Sequence, residues 1–230
     1  SLTVLAAATI VLPLWIKRRQ QGRAGTPRRI SWSGVAYFSL IGAGFMFFEI
    51  ALIQRLSVFL GHPVYALGVL LFTLIASAGL GSLVSERLPL SAELRPYLLP
   101  VLMATVILGA RFAVPPVLAL LVASSMAVKI VATVLMIFPL GLLLGLFFPV
   151  GMRMAKLAGT DDTPWYWALN GVFGVLSSAL AVLFSIYFGI SVTLYIAAVC
   201  YGALPWCVRG MMREGRSGHE VARLRKADAA

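Results

Sequence analysis

The sequence predicts an all-α fold, a polytopic transmembrane helical bundle of about seven spans with its N-terminus out and its C-terminus in. Three observations carry that prediction. First, 60% of the 230 residues are hydrophobic and 12% charged, at a mean hydropathy of +0.95. A water-soluble fold of this length has too little interior to hide so much apolar surface. Second, apolar runs close to span length recur along the whole chain. Third, the basic residues cluster between and after those runs rather than over one domain face. The net charge of +11 would suggest nucleic acid as a partner of a soluble protein. Clustered in this way it fits an anionic inner-leaflet surface instead, and no nucleic-acid partner is expected.

A spanning helix needs about 20 mostly apolar residues, because backbone groups in hydrocarbon must bond one another. Seven segments qualify: 1–16, 33–54, 64–84, 97–112, 130–151, 165–187 and 191–208. The first is short and reads as truncated. The chain opens at Ser1 inside an apolar run, without an initiator Met or the charged region of a signal peptide, as expected of a piece of something longer. The fourth segment is also short. After it, Pro115-Pro116, an apolar stretch and Ser124-Ser125 predict a short interfacial or re-entrant helix near 115–128 on the outer side. Counting that stretch as a span would invert everything downstream.

The positive-inside rule chooses between the two counts, since Lys and Arg near span ends stay on the cytoplasmic side. With seven spans, sixteen of the 19 Lys and Arg fall on one face, from Lys17 to the tail at Lys226. The other face receives Arg55, Arg111 and Lys129. The resulting organisation is a first anchor with a basic, Gly- and Pro-containing cytoplasmic linker over 1–29, a six-span bundle over 30–208 and a basic cytoplasmic tail over 209–230. The location is a bacterial inner (plasma) membrane, and the expected partners are the lipid bilayer, anionic inner-leaflet lipids and other membrane protein subunits. The tail's Lys and Arg suit headgroups, at about 1 kcal/mol per basic residue.

Polar groups inside the apolar runs are the candidate sites. Glu49 lies in the middle of the second segment, where a carboxylate costs at least about 2.5 kcal/mol on insertion scales. It should therefore face the bundle interior and be protonated or paired. It is either a proton or cation site or a tie between two helices. Gln54 and Arg55 follow about one and a half turns later, with Arg55 snorkelling to the outer interface. Gly61-His62-Pro63-Val64-Tyr65 is a tight connection that places His62 and Tyr65 beside them. The other histidine, His219, is in the tail, so a metal site and a cofactor are not expected. Cys200 and Cys207 share a helix face about 10 Å apart, too far for a disulfide.

Small residues recur at four-residue spacing: Ser77 with Gly81, Ala78 with Ser82, Gly141 with Gly145, and Gly174 with Ser178. In lipid such positions let helices approach closely. Pro139-Leu140-Gly141 and Pro149-Val150-Gly151 each remove a backbone hydrogen bond, so the fifth segment should be kinked or broken twice, as a plain kink or as the broken helix of a transporter. The sixth segment opens with Asp161-Asp162-Thr163-Pro164-Trp165, a sound helix start. One turn inside it, Asn170 either hydrogen-bonds across helices or lines a polar path.

The run Gly44-Phe45-Met46-Phe47-Phe48-Glu49-Ile50-Ala51-Leu52-Ile53-Gln54-Arg55, followed by Gly61-His62-Pro63-Val64-Tyr65, resembles the C-terminal membrane region of bacterial membrane-bound spermidine-synthase-like proteins. Gly79-Leu80-Gly81-Ser82, Phe138-Pro139-Leu140-Gly141, Phe148-Pro149-Val150-Gly151 and Trp165-Tyr166-Trp167-Ala168-Leu169-Asn170-Gly171 continue the likeness in order, over about residues 32 to 205. Those proteins are multi-pass chains with an aminopropyltransferase-type Rossmann domain, some fused to a major-facilitator-like half. The resemblance implies a membrane domain and nothing catalytic. The Gly-rich turn and acidic residues that hold decarboxylated S-adenosylmethionine and a polyamine have no counterpart in these 230 residues. A soluble domain ahead of Ser1 would also lie outside in this topology.

Two functions therefore compete. One is a non-catalytic membrane scaffold or accessory subunit, in which the polar groups fix helix packing. The other is a transporter-like domain for a small cation or polyamine, with Glu49 as its responsive group and the doubly interrupted helix as its gate. Internal repetition, which secondary carriers show, is weak: Gly79 to Arg87 loosely echoes a major-facilitator loop once, and the balance favours the scaffold. The membrane part of an aminopropyltransferase-type enzyme comes third, because no Ser/His/Asp, Cys/His or paired-carboxylate arrangement supports catalysis.

Overall fold

Six long helices and the short turns between them make up the computed structural model, which describes residues 31–87, 95–157 and 163–227, with side chains at 95, 96, 163 and 215–227 excepted. They are α1 (Trp32–Leu60), α2 (Pro63–Arg87), α3 (Arg95–Leu121), α4 (Met126–Leu157), α5 (Thr163–Phe188) and α6 (Ile190–Ala227). Each is at least 25 residues long, hence about 37 Å or more at the α-helical rise, against about 30 Å of bilayer hydrocarbon. All six are long and apolar enough to cross a membrane. No strand occurs among the described residues. The expected first span, its basic linker and Asp161-Asp162 lie outside those residues.

Local chemistry sets the helix ends. Ser31 caps α1, its hydroxyl accepting from the Gly34 amide at 2.9 Å. Gly61 stops α1 in the left-handed region at φ 76°, and Pro63 then opens α2 at the first helical position, where its missing N–H costs nothing. Gly189, at φ 86°, makes the equally tight turn between α5 and α6.

The separate helix expected near 115–128 is not formed. Residues 115–121 complete α3, 122–125 make the turn, and α4 already starts at Met126. Pro115 and Pro116 lie within α3 without ending it. Nor is α4 broken: it runs through Pro139 and Pro149. In apolar surroundings the backbone has no water to bond to, so a helix that loses one hydrogen bond at a proline remains a helix and keeps the rest. The basic stretch from Arg209 onward is helical as well. It continues α6 to Ala227.

Directions alternate along the chain. α1 is the most enclosed element: 61% of its most apolar stretch is buried, against 17% for α3. It packs on α5 and α6 and, less extensively, on α2 and α4. α2 packs chiefly on α4, and α3 on α6. The α2–α4 seam is tight because both sides are small: a Cβ on Gly81 would strike the Leu142 carbonyl oxygen, and one on Gly145 the Ala78 carbonyl oxygen. Tyr37, Phe38, Phe48 and Tyr201 fill the centre, with Phe38 stacked 4.7 Å from Tyr166. Cys200 and Cys207 are both free.

Candidate functional site

α1 carries three of the six polar candidates, Glu49, Gln54 and Arg55, and its neighbours determine what each can do. Gly42 abuts the backbone of Asn170, Met46 lies beside Gly174, and the Gln54 side-chain amide donates to Ser185 Oγ at 2.7 Å, so α1 and α5 run parallel. Glu49, one heptad beyond Gly42, falls on the same face, at the level of Ser177 and Ser178. It is 7% exposed and has no hydrogen bond or ion pair among the described residues. Thus Glu49 faces the interior as expected, but it ties no two helices together.

The ties come from other side chains. Tyr37 Oη donates to the Phe147 carbonyl at 3.0 Å, just ahead of Pro149. Arg55 Nη2 donates to Ser191 Oγ at 3.3 Å and joins α1 to the start of α6. Arg153 Nη2 donates to the Ser85 carbonyl at 2.5 Å, linking α4 to α2. At the other end of α1, Ser33 Oγ donates to Glu214 Oε1 at 3.0 Å. Gly141 sits against Ser77 and Gly151 against Tyr37, so the glycines beside both prolines admit neighbouring helices.

His62 and Tyr65 stand apart from Glu49. Both are exposed at the α1–α2 turn, their rings 5.9 Å apart edge to face, and the start of that turn lies about 18 Å along the axis from Glu49. Asn170 sits about 10 Å the other way, and its side chain makes no hydrogen bond among the described residues. The six polar candidates therefore occupy several levels of the bundle and do not form one site.

A cavity of about 550 Å³ opens at the Asn170 level between α1, α4, α5 and α6. Its walls are mostly apolar, with Asn170, Ser178 and Tyr201 as the polar-bearing side chains and Met46 on the α1 side. Glu49 is one turn past Met46 and does not line it. Ser178 is marked in the sequence only as a small packing residue paired with Gly174, and Tyr201 not at all, since a Tyr in an apolar run reads as packing. No group of three metal-ligating side chains occurs among the described residues. No family model, curated protein or solved structure matches this chain, so the likeness to the spermidine-synthase-like membrane region rests on its motifs.

Proposed function

We propose that the chain is a non-catalytic integral membrane scaffold or accessory subunit, built around α1, of the kind that the resemblance to spermidine-synthase-like membrane domains suggests. The observation that carries this reading is that the polar side chains of α1 at Tyr37, Gln54 and Arg55 are each spent on a bond to a different helix. With seven spans the sparse cationic face lies outside and the basic tail inside, in a bacterial inner membrane, where lipid-facing helices meet other subunits. Purification of the full chain in mild detergent tests it. A stoichiometric membrane subunit that co-elutes is expected, with no cation or polyamine flux in reconstituted vesicles; elution alone together with flux overturns it.

One pair of observations favours a second reading, a transporter-like domain for a small cation or polyamine. Glu49 is buried without a partner, and the cavity lies one turn away. On that reading Glu49→Gln abolishes flux while the fold survives.

A further inference from the structure

The three cations that the sequence strands on the sparse face converge in the fold. Arg55 lies five residues from the end of α1, Arg111 in the second half of α3 and Lys129 one turn into α4. Arg111 is close enough to Arg55 for their charges to repel. The Lys129 ammonium sits 5.4 Å from the centre of the Phe59 ring, and Phe59 is the residue one turn beyond Arg55 on α1. All three are half-buried.

Among the described residues nothing neutralises them. The turns at 61–62, 122–125 and 189 and their flanking helix ends contain no Asp or Glu; the nearest acid in sequence is Glu49, which pairs with none of the three. Arg55 has one hydrogen bond among the described residues, to the neutral Ser191 hydroxyl. Arg55 Nε and Arg111 Nε are buried with no acceptor among the described residues. Buried donors are normally satisfied, and a charge out of water is normally paired. Three cations without a neutralising partner among the described residues, two of them with an unmet buried donor, therefore describe a place for an oxyanion.

We propose that Arg55, Arg111 and Lys129 bind a phosphate-type oxyanion at the tight-turn end of the bundle. Two guanidinium forks supply paired, planar N–H donors, and the ammonium supplies a point charge beside them, the combination that matches tetrahedral phosphate oxygens. Helices of this length put their ends at headgroup depth, where lipid phosphate is the abundant anion; a free phosphate presents the same oxygens. This site is independent of the scaffold reading and of Glu49.

The full chain purified in a non-ionic, phosphate-free maltoside detergent, tested by two separate routes, distinguishes the sources. Inorganic phosphate against chloride at equal ionic strength should raise the melting temperature if the ligand is free phosphate. Phosphatidylglycerol retained through extensive exchange into that detergent, and counted by phospholipid analysis, identifies a headgroup. Either result supports the site, provided that Arg111→Gln with Lys129→Gln weakens binding about tenfold or more, as expected for charge-assisted hydrogen bonds. Lys129→Gln alone gives the same readout should the double variant not fold. Neither phosphate-specific stabilisation nor retained phosphatidylglycerol in the unaltered chain, or binding unchanged in the variants, overturns the proposal.

Discussion

The seam between α2 and α4 and the seam between α1 and α5 are both marked by small residues, yet the first closes to backbone contact and the second opens into a cavity. Across the first, Ser77 meets Gly141, Ala78 meets Gly145 and Gly81 meets the Leu142 backbone, so both helices yield space along the seam. Across the second, Gly171, Gly174 and Ser178 face an α1 surface that starts small at Gly42 and then presents Phe45 and Met46. Those side chains hold the helices apart beyond Gly42. Four-residue spacing on one helix therefore marks a close approach only where the partner is small as well.

The largest effect expected from that difference is at Gly145. A methyl there meets the Ala78 backbone, which cannot rotate away as a side chain could. Gly145→Ala should cost about 2 kcal/mol, within the usual range for overpacking, read from denaturant unfolding in detergent. A neutral result would mean that the seam gives way as easily as the open one. Next comes Tyr37→Phe, which deletes the hydrogen bond to the Phe147 carbonyl ahead of Pro149. A loss of about 1 kcal/mol is expected, and an unchanged unfolding midpoint would show that this carbonyl needs no second donor.

At Gly174 the sign should reverse. A Cβ there has Met46 Cγ at 3.6 Å and the Gly42 carbonyl oxygen at 3.8 Å, ordinary contact distances beside the cavity. Helix-interior Gly→Ala then stabilises by roughly 0.5–1 kcal/mol through chain entropy. A destabilised Gly174→Ala would sink the contrast between the two seams.

Much of this architecture was legible before any coordinates. Apolar run length located the six described helices to within a few residues at most ends, and Gly61-His62-Pro63 announced its turn through residues that can do little else. Proline misled at Pro115-Pro116, which suggested a boundary that is not there, and of the two readings of Pro139 with Pro149, kinked or broken, the break is absent; apolar surroundings hold the backbone helical through all four. Partner choice was not legible, because small residues announce close approach without naming the neighbour. The convergence of Arg55, Arg111 and Lys129 was half visible: their scarcity on one face could be counted, but their proximity depends on how α1, α3 and α4 pack.

The smallest expected effect concerns Glu49, on the open seam. A carboxyl group that bonded α5 would lose about 1–3 kcal/mol when its partner geometry changed. Glu49 has no such partner among the described residues, so Glu49→Gln exchanges one unbonded polar group for another of nearly the same shape. Unfolding should shift by less than about 0.5 kcal/mol, the scale of a substitution that touches no special feature. A larger loss would reveal a tie across the α1–α5 seam and make that seam structurally closed at its centre. An unshifted midpoint leaves the buried carboxyl without a packing role, and the same variant in vesicles then decides between the scaffold and the carrier: flux present before the change and absent after it favours the carrier.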